Sequence, residues 1–248
     1  MKLLIFLLSF LIINFEVSNG QSAIEIVKRS QDVLYSKSSY VEMTMTIIKP
    51  KWQRKIGMKV WALEPDYALI YITEPARDEG TVTLKRKNEI WNWLPSVQKI
   101  IKIPPSMMNQ SWMGSDFTND DLIRSSSYVD DYTHKLLSEE KLDQYDCYKI
   151  ESIPKPEAGI VWSKVISYIT KDGFMQIKVE FYDEESKLIK IFTGSKIKKF
   201  GDRKIPSYWE MIPMDKSGNK TVVEYQKVQF NIKINESFFT QQNMMRVK

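Results

Sequence analysis

The sequence has little of the side chains that most metal sites and nucleophilic enzymes require. Its 248 residues include one cysteine, Cys147, and one histidine, His134. A single cysteine cannot form an intramolecular disulfide, and a single imidazole cannot build a two-histidine metalloprotease site. We therefore expect no metal site, no cofactor and no catalytic residues, so the chain is predicted not to be an enzyme.

A long apolar run is also missing. The apolar run of residues 3–13 is shorter than the roughly 20 residues that a bilayer crossing needs. It follows Lys2, and Ser18 and Gly20 supply small side chains where a signal peptidase requires them. We predict a signal peptide over residues 1–20 that is cleaved after Gly20, with a retained membrane anchor as the alternative. An exported chain with only Cys147 fits the bacterial periplasm better than a disulfide-rich secretory pathway.

Neither sign of charge is in large excess. Lysine and arginine total 36 against 31 acidic residues, a net charge of +5. This excess is too small to indicate nucleic-acid binding, and we expect no nucleic-acid partner. Two basic runs, at residues 85–87 and 196–199, have two readings. Each is either a solvated strand face or a surface that docks to an anionic membrane or an acidic partner.

The chain does contain enough apolar material for a buried core, because 43% of its residues are hydrophobic. Residues 24–34 have the spacing of one amphipathic helix. From Val41 onward, apolar residues alternate with polar ones, which is typical of half-buried strands. Turn sequences separate most of the strand-like runs. The predicted strands cover residues 41–47, 56–62, 67–73, 81–87, 89–94, 99–103, 147–153, 164–170, 176–182, 187–194, 204–211 and 221–231.

One other region, residues 104–132, looks helical or irregular, with a capped short helix at residues 118–122. A large antiparallel sheet must cover its apolar face, and so few helical segments can do this only if the sheet curls around them. We therefore predict a mainly β fold, a single curved antiparallel sheet (half-open β-barrel) with a few short helices covering the concave side. The 12 methionines and 7 tryptophans could line the resulting concavity.

Several motifs occur in a particular order between Glu74 and Leu122. They are P-A-R-D-E-G at residues 75–80, W-N-W-L-P at 91–95, M-G-S-D-F at 113–117 and D-L at 121–122. In order and spacing this stretch resembles the LolA-like family of outer-membrane lipoprotein-sorting proteins. The resemblance continues weakly toward the C-terminus, so we assign residues 21–248 to one LolA-like lipid- or lipoprotein-binding domain. It implies a curved sheet with helices on its open side, and a carrier that holds acyl chains in the concavity.

A carrier of acyl chains needs an apolar groove and no catalytic group, since each exposed methylene costs about 0.8 kcal/mol in water. Methionine adapts its shape to variable chains, and Met43, Met45 and Met58 occupy the apolar faces of two consecutive strands. A methionine-rich core without a ligand is the alternative. The predicted ligand-binding residues are Val41, Met43, Met45, Met58, Val60, Trp91, Trp93, Met107, Trp112, Met113 and Phe117, the later ones on or under a lid.

Other candidate sites are weaker. Gly114 permits unusual dihedrals and Asp116 could cap a turn or helix, so residues 113–117 are either a lid hinge or a structural corner. The aspartates of this region lack the spacing of a calcium loop. His134, one serine of residues 125–127 and Asp130 or Asp131 supply the residue types of a hydrolase triad, but the sequence has no nucleophile elbow. Cys147 reads as a small buried hydrophobe.

These patterns predict a non-enzymatic periplasmic carrier that transfers a lipid or lipoprotein acyl chains between envelope components. Its expected partners are membrane-associated proteins that load it or accept its cargo, and we expect a monomer. The alternative is a structural or accessory subunit of an envelope transport complex with no bound lipid.

Overall fold

The computed structural model describes residues 21–124 and 128–248. The predicted signal peptide and Ser125–Ser127 lie outside the described residues. Within these two ranges, every helix is too short or too polar to cross a membrane.

A single antiparallel sheet dominates the molecule and confirms the predicted fold class. It does not close, so β6 and β7 form its two edges. The strand order is β6-β5-β4-β3-β2-β1-β13-β12-β11-β10-β9-β8-β7. The strands are β1 (Ser38–Lys49), β2 (Trp52–Leu63), β3 (Tyr67–Glu74), β4 (Val82–Arg86), β5 (Glu89–Leu94), β6 (Lys99–Lys102), β7 (Tyr132–Leu142), β8 (Tyr145–Pro154), β9 (Lys164–Thr170), β10 (Gln176–Tyr182), β11 (Leu188–Phe200), β12 (Arg203–Pro213) and β13 (Lys220–Phe230).

The helices are short, and the predicted N-terminal helix is confirmed. Ser22 caps it in a reciprocal capping box with Glu25, which gives two otherwise unpaired backbone N–H groups a partner. Ile26 and Val27 are buried, whereas Ile24 is 51% exposed although its spacing placed it on the apolar face. The helices are α1 (Ala23–Leu34), α2 (Asn119–Arg124) and α3 (Gln241–Met244), with 3₁₀ turns at Pro105–Met107, Pro156–Ala158 and Glu236–Phe238.

Two elements cover opposite ends of the concave face. Helix α1 lies at the end where β1 begins, which we call the helix end. Its Ile26 and Val27 pack with Ile150 and Ile169. Residues 103–122, which we call the lid, cover the opposite end, which we call the lid end. The interior of the curved sheet is therefore enclosed between α1 and the lid.

The convex face of β2–β6 is covered by the C-terminal segment, residues 234–247. Phe239 is fully buried there, and Phe238 packs 5.6 Å from the ring of Trp61. Trp91 and Trp93 belong to the same cluster. Because side chains alternate along β5, Ile90 and Asn92 occupy the concave side instead. The predicted position of the two tryptophans on or under the lid is therefore wrong.

Strand β7 was missed by the sequence analysis. It is an edge strand with many charged side chains, and its register with β8 shifts between Leu136 and Ser138. Burial alternates along the whole strand, but Leu137 falls at an outward position and is 42% exposed, while Ser138 and Glu140 occupy half-buried positions. The sequence therefore lacks the apolar alternation of a half-buried strand. Strand β11 also runs on to Phe200, six residues beyond its predicted end at Gly194, because the polar residues there pair with β12.

The covered convex face generates a stability prediction. Phe239→Ala should lower the free energy of unfolding by about 3–5 kcal/mol, because it removes a fully buried ring and leaves a cavity. Urea denaturation measures this change. Phe238→Ala is the matched control, since its half-buried ring should cost clearly less. Equal effects of the two substitutions would contradict the proposed packing.

Candidate functional site

A cavity of about 400 Å³ lies on the concave face between α1 and the lid. This volume falls within the roughly 300–1,000 Å³ that is typical of small-molecule sites. Side chains from α1, from β1–β5, from β9–β13 and from the lid form its walls. The cavity therefore extends across most of the width of the sheet.

Methionines and aliphatic residues of β1 and β2 form part of the cavity wall. Met43 is opposite Met58 in the ladder between the two strands, and Val60 is opposite Ile70 of β3. All four side chains point to the concave face and line the cavity. Met58 is almost fully buried, whereas Met43 and Val60 are half-buried. The two half-buried side chains leave more of their surface open than Met58 does.

Aromatic side chains of β10–β12 contribute a second part of the wall. Phe192 stacks on Trp209 with ring centroids 4.7 Å apart, and it meets Phe117 of the lid edge-on at 5.8 Å. Trp162 packs 5.3 Å from Phe181. Of these residues, only Phe117 was predicted from the sequence. Apolar and polar residues alternate in β10–β12 as they do in β1 and β2. The sequence did not show which strands lie beside β10–β12, so their apolar faces could not be assigned to the cavity.

Polar side chains gather at the helix end of the cavity, where Gln31, Tyr35, Glu64, Lys85 and Tyr225 line it. Burial raises the pKa of Tyr35 well above its usual range, with smaller contributions from Tyr225 and Glu64. Burial also raises the pKa of Tyr225 to about 12. Both hydroxyls are therefore protonated at neutral pH and can act as hydrogen-bond donors.

Lys85 is a basic side chain within this polar group and is only 5% exposed. Burial lowers its pKa, while the nearby carboxylates of Glu64 and Asp66 act in the opposite direction. Its run of residues 85–87 is thus divided between two faces, because Arg86 and Lys87 are exposed. The predicted solvated strand face applies to those two residues and not to Lys85.

An ion pair attaches the lid to the centre of the sheet. Lys49 Nζ lies 2.6 Å from Asp116 Oδ1. Thr221 Oγ1 donates to Asp116 Oδ2 at 2.7 Å and accepts from the Asp116 backbone N–H at 2.9 Å. The sequence suggested that Asp116 caps a turn or helix, and this prediction is wrong. Asp116 binds β1 and β13 at the lid end.

A second ion pair lies nearer β11. Lys190 Nζ donates to both carboxylate oxygens of Asp121 at 3.0 Å, and it lies 4.7 Å from the ring centre of Trp162. The Asp121 carboxylate also accepts a hydrogen bond from the Thr118 backbone N–H, and the Thr118 hydroxyl oxygen accepts one from the Asp121 backbone N–H. This exchange confirms the predicted capped helix. Lys190 is almost fully buried, so solvent screens this pair weakly.

The predicted ligand-binding residues fall into two groups. Val41 lies on the same face of β1 as Met43 but does not line the cavity. Met107 is 36% exposed. Met113 packs against the core, and both Met113 and the adjacent Gly114 have a positive φ. Trp91 and Trp93 lie on the convex face. The cavity brings together Met43, Met45, Met58, Val60, Trp112 and Phe117.

The histidine and the cysteine occupy structural positions. His134 Nδ1 lies 2.8 Å from Ser152 Oγ, and Nε2 lies 3.2 Å from the Val129 carbonyl oxygen. Cys147 is fully buried, and burial raises the pKa of its thiol. Across residues 21–124 and 128–248, no three His, Cys, Asp or Glu side chains are grouped closely enough to hold a metal ion.

The chain matches one known protein family. A family model with the description "Uncharacterized protein" matches residues 64–246, more than half of the chain. A comparison with curated protein sequences finds no significant match.

Solved structures share the fold at low sequence identity. A DUF1329 family protein from Desulfovibrio piger is 23% identical with a TM-score of 0.82, covering 90% of this chain and 97% of its own. An outer membrane lipoprotein-sorting protein domain from Vibrio parahaemolyticus is 23% identical with a TM-score of 0.79, covering 90% and 98%. A LolA superfamily protein from Nitrosomonas europaea is 22% identical with a TM-score of 0.77, covering 90% and 99%. The predicted resemblance to LolA-like proteins is confirmed for the fold.

The lid attachment can be tested by removing one charge. Asp116→Asn should reduce the free energy of local opening of the lid by about 1–3 kcal/mol, because it leaves the mostly buried Lys49 without its counter-charge. Hydrogen exchange of the lid amides measures this change. Glu42→Gln, which breaks the exposed pair with Lys227, is the control and should have an effect below about 1 kcal/mol. Unchanged exchange in Asp116→Asn would show that this pair does not hold the lid.

The half-buried histidine generates a pH prediction. Burial lowers the pKa of His134 below the usual value of about 6.5. The unfolded chain therefore binds a proton more readily, and the histidine's contribution to stability is lost as pH falls through about 6.5. The free energy of unfolding should drop less in His134→Gln than in the wild type between about pH 7.5 and pH 5. Urea denaturation at both pH values checks this, and equal drops would contradict it.

Proposed function

We propose a carrier function for this chain, which belongs to the family described as "Uncharacterized protein" and has the fold of the LolA superfamily. The cargo is a lipid or the acyl chains of a lipoprotein, held in the cavity between α1 and the lid. The chemistry is reversible burial, and the protein is not an enzyme. The proposal rests on the cavity and its walls.

The observation that carries the proposal is the half-buried apolar wall around Met43 and Val60, inside a cavity that two separate elements cover. Methionine side chains can repack around chains of different length. Burying about ten methylenes would contribute about 8 kcal/mol before the cost of association. The association cost of about 4 kcal/mol or more offsets part of this gain, so the binding is reversible and involves no covalent step.

The polar side chains at the helix end support an amphiphile rather than a plain hydrocarbon. Tyr35 and Tyr225 offer hydroxyl donors, and Lys85 and Glu64 offer charged groups at the same end of the cavity. An acyl chain along the methionines would place its polar group among these side chains. Their hydrogen bonds then compensate the desolvation of that polar group.

The proposed location is the periplasm, after cleavage of the signal peptide behind Gly20. We propose that a monomer is loaded by one membrane-associated protein and unloaded by another. The shared fold of the outer membrane lipoprotein-sorting protein domain from Vibrio parahaemolyticus supports lipoprotein sorting as the process.

The edge strand β7 favours a second candidate function. It is 11 residues long, and among the described strands only β8 pairs with it. An extended segment of another protein could add to this edge by main-chain hydrogen bonds. The chain would then be an accessory subunit of an envelope transport complex, and its cavity would hold no lipid.

A pair of neighbouring substitutions separates the two functions. Met43→Glu should reduce the affinity for a fluorescent fatty acid by at least about tenfold, because it places a carboxylate in the apolar wall. Thr44→Glu introduces the same group on the opposite face of β1 and should bind normally. Fluorescence titration measures both affinities, and circular dichroism shows that both variants fold.

Native mass spectrometry of the protein purified from a bacterial envelope complements the titration. Co-purifying lipid that is absent from Met43→Glu would support the carrier. Normal fatty-acid binding by folded Met43→Glu would refute this cavity as the site. A wild-type protein that neither retains nor takes up lipid would favour the accessory subunit.

A further inference from the structure

The two basic runs, which are far apart in the sequence, lie at the same end of the sheet. Arg86, at the end of β4, is opposite Tyr67 at the start of β3. Leu63 at the end of β2 is opposite Ser38 at the start of β1. The next residue of β1, Ser39, is opposite Phe230 at the end of β13. The ring of Phe230 lies 4.2 Å from the Arg203 guanidinium, beside the second run. Both runs are therefore at the helix end.

The second run forms a projecting arm, residues 195–204. Strand β11 is paired with β10 only as far as Thr193, and β12 is paired with β13 only from Tyr208 onward. Between these points the two strands pair with each other, for example Lys199 with Lys204. At the arm, β11 and β12 thus lie beyond their pairing with the neighbouring strands, and among the described strands they pair there only with each other.

The arm is strongly basic and open to solvent. It contains five lysine or arginine residues and one aspartate. Lys196, Lys198, Lys199 and Lys204 are exposed. In the part of the chain that the structure describes, no carboxylate lies within ion-pair distance of these four lysines. Phe200, half-buried, is at the tip. A basic surface with an aromatic tip matches the headgroup region of an anionic bilayer.

Arg203 fixes the arm to the cavity wall. Its Nη1 donates to the Tyr35 carbonyl oxygen at 2.5 Å and to the Val33 carbonyl oxygen at 3.3 Å. Tyr35 follows the last turn of α1 and lines the polar end of the cavity. The arm therefore has a fixed position beside that end. Exposed Lys37 and Lys87 add positive charge at the same end of the sheet.

We propose that the arm docks the protein on an anionic phospholipid surface, with the helix end of the cavity facing the bilayer. The choice of a lipid surface over an acidic protein rests on the proposed carrier function, because a lipid carrier must meet the membrane that holds its cargo. The docking is electrostatic, so it weakens as salt rises.

Sedimentation with vesicles tests the docking. The vesicles contain equal parts of phosphatidylcholine and phosphatidylglycerol, with pure phosphatidylcholine as the uncharged reference. The arm variant Lys198→Gln/Lys199→Gln/Lys204→Gln should bind the anionic vesicles on the order of 100-fold more weakly, since each basic residue near such a surface contributes about a fivefold factor. Its fatty-acid affinity without vesicles should match that of the wild type.

The matched control is Lys51→Gln/Lys187→Gln/Lys216→Gln. These three exposed lysines lie in turns at the lid end, so the net charge changes equally while the arm stays intact. This variant should bind anionic vesicles within about threefold of the wild type, because its lost charges lie away from the docked surface. Equal losses in both variants would overturn the arm in favour of a general charge effect.

Two further results decide the nature of the surface and separate it from the cavity. Binding to a poly-glutamate resin without binding to anionic vesicles would overturn the lipid surface in favour of an acidic protein. Met43→Glu should keep its vesicle binding, because Met43 lies inside the cavity. Vesicle binding by a protein that takes up no fatty acid would support the docking while refuting the carrier function.

Discussion

A long antiparallel sheet whose concave face is apolar must keep water from that face, and among the described residues no second sheet does so. Helix α1 covers one end and the lid covers the other, so each closure is made by a short element that has little apolar surface of its own. The sheet can bend around such small elements only if its own side chains fill most of the space. The methionines of β1 and β2 and the aromatic residues of β10–β12 do this, and they leave a cavity between them.

The two closures are held in different ways. Helix α1 is held by buried aliphatic contacts, with Ile26 and Val27 packed on β8 and β9. The lid combines the buried Trp112 with charged groups on Asp116 and Asp121. Apolar contacts do not depend on charge, so salt and water screen them little. An ion pair is screened, and therefore weakened, as soon as solvent reaches it. Of the two, the lid is therefore the closure whose attachment changes more once water enters.

The sequence predicted the architecture better than the site. Alternating patterns located twelve strands, and the turn sequences implied an antiparallel sheet. Strand β7 escaped because polar residues such as Ser138 and Glu140 occupy its half-buried positions and Leu137 an exposed one, so its sequence does not alternate. The methionines of β1 and β2 could be placed on one face because these strands are consecutive. Trp91 and Trp93 could not be placed, because period-two alternation does not say which face is concave.

The rest of the cavity depends on strand order, which no local pattern reports. Tyr35 and Tyr225 meet because β1 pairs with β13, and Lys85 joins them only after β2, β3 and β4 have taken their places in the sheet. Lys85 looked like an ordinary surface residue in the sequence. Its burial follows from the curvature of the whole sheet, so only the complete fold reveals the polar end.

The pairing of β1 with β13 also bears on how the chain folds. It joins residues that are almost two hundred positions apart, since Ser38 Oγ donates to the Ile232 carbonyl oxygen across a separation of 194 residues. The segment containing Phe239 then packs on strands near the beginning of the sheet. Contacts of such long range are formed against a large loss of chain entropy. Until the last strand has arrived, β1 has an open edge and the tryptophans of the convex face are exposed, so the unfinished chain carries surfaces that favour aggregation.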